Sequence, residues 1–490
     1  MRASSLFALL ALSTQVAVAQ QQPQNPTSRG GALTLEEAIS IAQQNNSQYL
    51  TIRNTVRSAD ATLRQTNGAL LPTLSANART NYTAGGQQVQ FDRTVQTNAT
   101  YNNAYGANLN YSVNAGALYA PRAARANRAA AQADVTNAAE LLRANVTQQY
   151  ITALQQQATA AVLDTLVTVS QAQLDLANAK MEAGSGTIID VRTAEVALGQ
   201  ARVNSLNSHN QARVSKLQLF QTMGVPADID AQLTTTFAIS TPTFSLDSVL
   251  DLARHVNPDV AARRSRLTAA NANVKLARTA YLPSLQVQTG YNATSLAYTN
   301  SDILAQQKAA SVFGNFQNCM FLDSLRAGAG LPRQNCGTGI ATADQLAAAR
   351  ASNNPFSFNR VPLNLFVGVS VPIFNGFARE ANIEQNKVLR DNAENDVRAR
   401  NLQLTTDVTQ AYLTLVTQAQ TVELQTQTAA KAAEDLALQE ESFKVGARTF
   451  LDVSTARATY EQAQINRVNA IYEYHKAFAA LENAIGRPLR

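Results

Sequence analysis

Four short segments of the chain alternate between apolar and polar side chains. In the first, Leu74, Ala76 and Ala78 are separated by Ser75 and Asn77. A period of two with one apolar and one polar face indicates a sheet that is buried on one side. Each segment has about ten residues, the length that a tilted strand needs to cross a bilayer, although a soluble sheet packed on one face has the same pattern. We predict strands at about 73–82, 100–113, 284–293 and 361–373.

Two very long helical patterns accompany these strands. No glycine or proline interrupts residues 122–181 or 379–443, and apolar residues recur at helical spacing in both. At a rise of roughly 1.5 Å per residue, about 60 residues extend about 90 Å, which exceeds an ordinary domain. The apolar stripe is narrow and rich in alanine, which indicates coiled-coil-like packing between neighbouring helices. A solid coiled-coil rod would share this pattern, but the attached strands argue against it.

The chain contains two copies of one unit. Three residues near the start of the first copy recur in the second, as Leu35 and Leu246, Ala42 and Ala253, and Asn46 and Asn257. A later set recurs at a longer spacing, as Tyr150 and Tyr412, Gly184 and Gly446, and Asp190 and Asp452. We therefore predict two tandem structural repeats, residues 20–243 and 244–490, with long helices that turn near 182–190 and 444–452. The longer spacing places a long insertion in the second repeat at 299–360, which we expect to lie on the extracellular side.

Four strands cannot close a barrel, and lipid does not tolerate open sheet edges. Closure takes at least about eight strands, so the chain must associate with copies of itself. Two copies would supply eight strands and three would supply twelve, and the periodicity alone does not choose between them. The polar face of the strands indicates a water-filled lumen.

The N-terminus has the features of an exported protein. Arg2 is followed by an apolar run at 6–12 and by the small residues Ala17 and Ala19, so we predict a signal peptide at 1–19. This run is too short to cross a bilayer, and no later stretch approaches about 18 apolar residues. The formal net charge of +6 is small for 490 residues, and no basic run indicates nucleic-acid binding.

The two cysteines, Cys319 and Cys336, lie within the insertion. In an exported protein we expect them to form a disulfide that staples this loop. A zinc site would need further ligands, and the three histidines lie far away in sequence. The chain also lacks a phosphate-binding glycine loop, a nucleophile elbow and a metal-spaced cluster, so we predict no catalytic residue, no cofactor and no enzyme activity.

Several motifs resemble the TolC-type outer membrane efflux proteins. They are the doubled unit, the Leu-Pro before a strand, "VPIFNGF" (371–377), "VGARTFLDV" (445–453) and "AIGRP" near the C-terminus. The resemblance covers almost the whole mature chain in order. It implies an α+β membrane protein, with a trimeric 12-stranded transmembrane β-barrel, four strands per chain, continued by a long α-helical barrel. It therefore favours twelve strands over eight.

The resemblance also implies a gate where the long helices turn. By motif match, Asp452 belongs to an acidic ring, and Arg448 pairs with Asp190 as a latch. The resemblance further implies that Gly184 and Gly446 form the tip turns and contact an adaptor. Two positions depart from the family pattern, since Phe443 replaces a latch tyrosine and Thr455 replaces a second ring aspartate. An ordinary solvated helix start would also account for Asp452.

We therefore expect a passive exit duct of a tripartite efflux system that carries small molecules, located in the outer membrane of a Gram-negative-type bacterium and extending into the periplasm. Its implied partners are two further copies of the chain, a periplasmic adaptor, an inner-membrane pump and outer membrane lipid, with no nucleic acid. The outer membrane component of type I protein secretion is an alternative within this class. A periplasmic coiled-coil adaptor is an alternative from another class, but it would have one hairpin beside a compact β-rich domain.

Overall fold

The structure is a computed structural model, and it describes residues 31–90, 93–239, 243–360 and 362–489. The predicted signal peptide at 1–19 and Val361 of the predicted fourth strand lie outside these ranges. The elements in chain order are β1 (Ala32–Leu33), α1 (Leu35–Asn45), α2 (Ser47–Gly68), β2 (Thr73–Thr83), β3 (Gly86–Gln90), β4 (Arg93–Thr97), β5 (Thr100–Asn114), α3 (Ala115–Glu182), α4 (Ile188–Met223), β6 (Gln232–Leu233), α5 (Leu246–Val256), α6 (Pro258–Arg278), β7 (Ser284–Tyr298), α7 (Asp302–Gly328), α8 (Ala343–Ala351), β8 (Asn359–Arg360), β9 (Asn364–Ser370), α9 (Ala378–Lys444) and α10 (Phe450–Ile485).

The chain forms two compact units. The strand unit comprises Asn54–Asp134 and Val260–Arg400, and the helical unit comprises the described residues up to Arg53, Val135–Asp259 and Asn401 onwards. The order of elements recurs, because α1, α2, two sheet strands, α3 and α4 are followed by α5, α6, two sheet strands, α9 and α10. Within the described ranges, no helix has a stretch both long and apolar enough to cross a bilayer.

The strand unit contains an antiparallel sheet in the order β2-β5-β7-β9, with β8 also paired to β7. The register keeps the predicted apolar face aligned across all four strands, because Leu74 lies opposite Leu109, Leu109 opposite Thr289, and Thr289 opposite Leu365. The alternation read from the sequence therefore corresponds to two continuous faces. We call them the apolar face and the polar face of the sheet.

On the polar face, asparagine side chains lie across glycines of the neighbouring strand. A Cβ atom at Gly106 would collide with Asn292 Oδ1, and one at Gly290 would collide with Asn108 Oδ1. Asn108 Nδ2 also donates a hydrogen bond to Asn77 Oδ1 at 3.1 Å. Glycine is needed at these two positions because a neighbouring amide occupies the space where its side chain would be.

Strand boundaries differ from the predictions at three places. The fourth strand, predicted at 361–373, pairs with β7 only over Asn364–Ser370, because Pro362 and Pro372 lack the N–H that a ladder requires. The third strand continues from 293 to Tyr298, where it pairs with the start of β5. The connection between β2 and β5, predicted as a loop, contains the hairpin β3–β4.

The insertion at 299–360 consists largely of helices. Thr342 starts α8 through a capping box with Gln345, and α7 packs against α8. Cys319 and Cys336 form a disulfide bond with a Cα–Cα distance of 5.7 Å. This bond ties the segment that follows α7 back to α7 itself.

The core of the helical unit forms where α1, α3 and α4 meet the parallel pair β1–β6. Tyr150 is fully buried there, and its hydroxyl donates to the Leu33 carbonyl at 2.7 Å and bonds to Thr235 Oγ1 at 3.1 Å. The Thr235 amide in turn donates to this hydroxyl at 3.2 Å. Tyr412, which corresponds to Tyr150 in the second repeat, makes one longer bond to the Phe244 carbonyl at 3.3 Å.

Candidate functional site

The candidate site consists of two turns between long helices in the helical unit. We call residues 180–191 the first tip and residues 442–453 the second tip. Gly184 and Gly446 have φ angles of +72° and +81°, which side chains disfavour. Each donates its amide back to the helix that ends, Gly184 to Met181 O at 3.0 Å and Gly446 to Phe443 O at 3.1 Å. The two glycines predicted at the turns therefore end α3 and α9.

A capping box starts the next helix at each tip. Asp190 Oδ2 accepts hydrogen bonds from Thr187 N at 3.0 Å and Thr187 Oγ1 at 2.7 Å. Asp452 Oδ2 accepts from Thr449 N at 2.9 Å and Thr449 Oγ1 at 2.8 Å. Both carboxylates are thus held against the N-terminal end of a helix, where negative charge is stabilised.

The Thr449 backbone N–H and hydroxyl are the main reason why the pKa of Asp452 lies below its ordinary value. The positive charge of Arg448 lowers this pKa further. Asp452 is therefore ionised throughout the neutral range, as an acidic ring residue needs to be.

The predicted latch pair is not joined within one chain. In the described part of the chain, Arg448 and Asp190 share no hydrogen bond and no ion pair, and Arg448 acts instead on Asp452 of its own tip. The Asp190 carboxylate bonds instead to its own capping threonine, Thr187. The latch between Arg448 and Asp190 therefore stays a prediction.

A small hydrophobic core joins the two tips. Phe443 and Phe450 of the second tip pack edge to face with ring centroids 5.8 Å apart. Both are at least nine-tenths buried, together with Val191 and Ala194 from the first repeat and Val453 from the second. Phe443, which stands at the position of a latch tyrosine in the family, thus contributes its ring to this core.

Lys180 is a tip residue that the sequence did not reveal. Its Nζ donates a hydrogen bond to the Phe443 carbonyl and lies 3.7 Å from the centroid of the Phe443 ring. The only sequence signal is a difference between the repeats, because Ser442 stands at the corresponding position of the second tip.

A buried polar network lies beside the tips. Arg457 is 9% exposed and donates from Nη1 to Gln173 Oε1 at 3.2 Å. Gln173 Nε2 donates to Glu440 Oε1, also at 3.2 Å. Burial lowers the pKa of Arg457. This network links α3, α9 and α10 through side chains that the sequence analysis did not single out.

The strands carry very little charge. Among β2, β5, β7 and β9, the single charged residue is Arg79, which belongs to the polar face and lies opposite Ala104. The apolar face carries aromatic pairs, with Tyr82 and Tyr101 at a centroid distance of 5.0 Å.

The chain is similar in sequence to known proteins. Residues 38–225 and 322–487 match the family model described as outer membrane efflux protein. Two curated relatives from Pseudomonas putida, the probable efflux pump outer membrane protein SepC and the toluene efflux pump outer membrane protein TtgF, are each 28% identical over 269 residues. These matches cover 53% of this chain and 54% of each relative, so the chain spans about half the length of the curated relatives it matches.

Solved structures share the fold. The outer membrane protein VceC from Vibrio cholerae is 16% identical and superposes with a TM-score of 0.68, covering 93% of this chain and 97% of that chain. The fold class predicted from the sequence, with a sheet of four main strands and very long helices, is confirmed at the level of the chain.

Proposed function

The chain belongs to the outer membrane efflux protein family, and on this basis we propose that it is a passive exit duct across the outer membrane. It acts as a homotrimer that receives its cargo from an inner-membrane pump through a periplasmic adaptor. Three chains close a 12-stranded barrel in the membrane, and their long helices continue it into the periplasm as an α-helical barrel.

The observation that carries this proposal is a two-faced sheet with two open edges. All of the β2 residues are exposed, and β2 and β9 are each paired on one side only within the chain. An unpaired edge strand exposes N–H and C=O groups that can pair with another strand, and in lipid these groups must be paired. Pairing of β9 with β2 of the next copy satisfies both edges without any further element.

The two faces of the sheet support a membrane position. Val367 and Val369 of β9 are 59% and 69% exposed in the single chain, and lipid acyl chains would cover them. The aromatic pair Tyr82–Tyr101 lies near the end of β2 and the start of β5, where an interfacial girdle of aromatic residues is expected. The asparagine-rich polar face then lines a water-filled passage.

Exposed leucines on α9 support contacts between copies in the helical unit. Leu402, Leu413 and Leu424 are 66%, 56% and 63% exposed, and their regular spacing places them along one side of the helix. Helices of a neighbouring copy would cover this stripe. We assign no catalytic step to the protein, because its role is to conduct.

The tips form the periplasmic entrance in this proposal. Three copies of Asp452 around the axis attract cations and repel one another. The turns at Gly184 and Gly446 face the adaptor, and contacts between Arg448 and Asp190 of a neighbouring tip bias the entrance towards the closed state. The name of the relative TtgF includes toluene, which supports small apolar molecules as cargo.

Engineered cysteines test the subunit closure. Ala76→Cys in β2 is combined in turn with Leu365→Cys, Val367→Cys and Val369→Cys in β9, and outer membranes are oxidised and analysed on denaturing gels. We expect at least one pair to give covalent dimers and trimers, while each single variant stays monomeric. If all three pairs gave only monomers, or if the protein were absent from the outer membrane, the proposal of a trimeric duct would be refuted.

A further inference from the structure

We propose that Lys180 is a clamp that holds the two tips of one chain together and thereby keeps the entrance closed. The inference rests on the proposed function and concerns the regulation of the same entrance. In this role Lys180 is a positioning residue, because it acts on the second tip and touches no cargo.

Lys180 makes two contacts with a single residue of the other tip. Its ammonium group donates to the backbone carbonyl of Phe443 and lies 3.7 Å from the centroid of the Phe443 ring. The carbonyl belongs to the last turn of α9, where the helix dipole favours a cation, and the ring face attracts a cation as well. The lysine thus satisfies both the end of a helix and an aromatic side chain.

The clamp is part of both turns. The Phe443 carbonyl also accepts the Gly446 amide at 3.1 Å, so the clamp and the second turn share one acceptor. The carbonyl of Lys180 itself accepts the amides of Ser185 and Gly186, each at 2.9 Å, and so closes the first turn. Movement of either turn is therefore transmitted to the other through Lys180.

The contact occurs once per chain, although the tips are repeats of each other. Ser442 corresponds to Lys180 and Met181 corresponds to Phe443, so the equivalent pair of positions has neither the cation nor the ring. The nearby Lys444 bonds instead to Glu441 of its own helix at 2.9 Å. Lys444 is thus a lysine of the second tip whose ion pair does not link the tips.

Separation of the tips would break both contacts and expose the core that Phe443 and Phe450 share. A charged hydrogen bond and a cation–π contact in a half-buried setting together favour the joined tips about tenfold per chain. Because a trimer has three clamps, the entrance opens rarely while all three are intact.

Single-channel recording in planar bilayers with the full-length protein tests the clamp. Lys180→Met keeps the apolar stem and removes the charge, and we expect its open probability at the periplasmic entrance to rise about tenfold or more. Lys180→Arg keeps a cation and a donor and should restore the wild-type value. Lys444→Met removes a lysine charge from the second tip without breaking a contact between the tips, and it should leave open probability within about twofold of the wild type.

The outcomes separate the clamp from the duct. If wild-type protein forms no channel, the proposed function fails. If the wild type conducts but Lys180→Met matches Lys444→Met, the clamp alone is overturned. Phe443→Leu provides a second test, since it keeps the carbonyl and removes the ring, and we expect a smaller rise than for Lys180→Met. No rise in Phe443→Leu together with a full rise in Lys180→Met would reject the ring contact.

Discussion

Phe450→Ala should loosen the second tip far more than the change of its immediate neighbour, Leu451→Ala. Phe450 is 7% exposed and packs on Phe443 and Val453, whereas Leu451 is 73% exposed in the chain. The two positions lie in the same first turn of α10 and have the same secondary structure. The difference between the two variants therefore measures the contribution of the buried core between the tips and not the helix propensity of the position.

The size of the effect follows from burial. Removal of a buried phenylalanine side chain costs about 3–5 kcal/mol, and we use the lower end because a helix end relaxes more easily than a core. At roughly 1.4 kcal/mol per factor of ten, the population of the locally opened tip rises about 100-fold. The exposed Leu451 contributes within about 0.5 kcal/mol, which corresponds to about twofold.

Limited trypsin digestion of the full-length protein in detergent provides the assay. Cleavage after Arg457 requires the start of α10 to unwind, because Arg457 is 9% exposed and bonded to Gln173. When opening and closing are fast, the rate of this cleavage follows the opened population. Arg448 lies in the turn itself and serves as an internal reference for the activity of the protease.

Equal rates of cleavage after Arg457 in Phe450→Ala and Leu451→Ala would refute the claim that the buried core stabilises the second tip. An equal proportional rise in cleavage at Arg448 would mean that the faster cut at Arg457 does not report on the core shared by the tips. Support for the core requires faster cleavage at Arg457 alone.

Three further predictions concern other parts of the molecule. Tyr150→Phe removes the acceptor of the Thr235 amide and one of the two donors to the Leu33 carbonyl, which keeps the Thr234 amide. The change should cost about 1–3 kcal/mol, seen as about 5- to 150-fold faster hydrogen exchange over residues 231–236; unchanged exchange would contradict this. The pKa of Asp452 is lowered, so the stabilising effect of its charge is complete above the ordinary aspartate range and is lost only as pH falls through the lowered value. Block of the channel by cations should therefore be constant from pH 7 to pH 5, and Thr449→Val should move the loss of this block to higher pH. A loss of block near neutral pH in the wild type would contradict the assignment. Arg79→Glu should shift the reversal potential of open channels towards cation selectivity at low salt. The shift should be smaller in about 1 M salt, because salt screens the charge. The absence of a shift at low salt would contradict the placement of Arg79 on the lumen wall.

The sequence predicted the sheet well because a period of two is a local signal. Every second residue of β2, β5, β7 and β9 had to suit one face, and the observed register aligns these faces. The ends of the strands were less predictable, since β7 extends to Tyr298 through partners that lie far away in the chain. The helices α7 and α8 were missed because the insertion has no counterpart in the first repeat.

At the tips, the turns were predictable and the contacts were not. Gly184 and Gly446 stand out because a positive φ demands glycine. The spacing of Thr449 and Asp452 is that of a capping pair, but it does not show how fully the cap occupies the carboxylate. The contact between Lys180 and Phe443 joins residues that are 263 positions apart, and a lysine gives no sign in sequence of which carbonyl it will reach.

The asparagines that lie across Gly106 and Gly290 affect the bore of the proposed barrel. Because the glycines have no side chain, the amides of Asn292 and Asn108 fold flat along the wall instead of pointing towards the axis. An alanine at either glycine would lift the neighbouring amide off the wall by about the thickness of a methyl group. In the proposed barrel, these two glycines would therefore let the wall keep its polar coating without narrowing the passage.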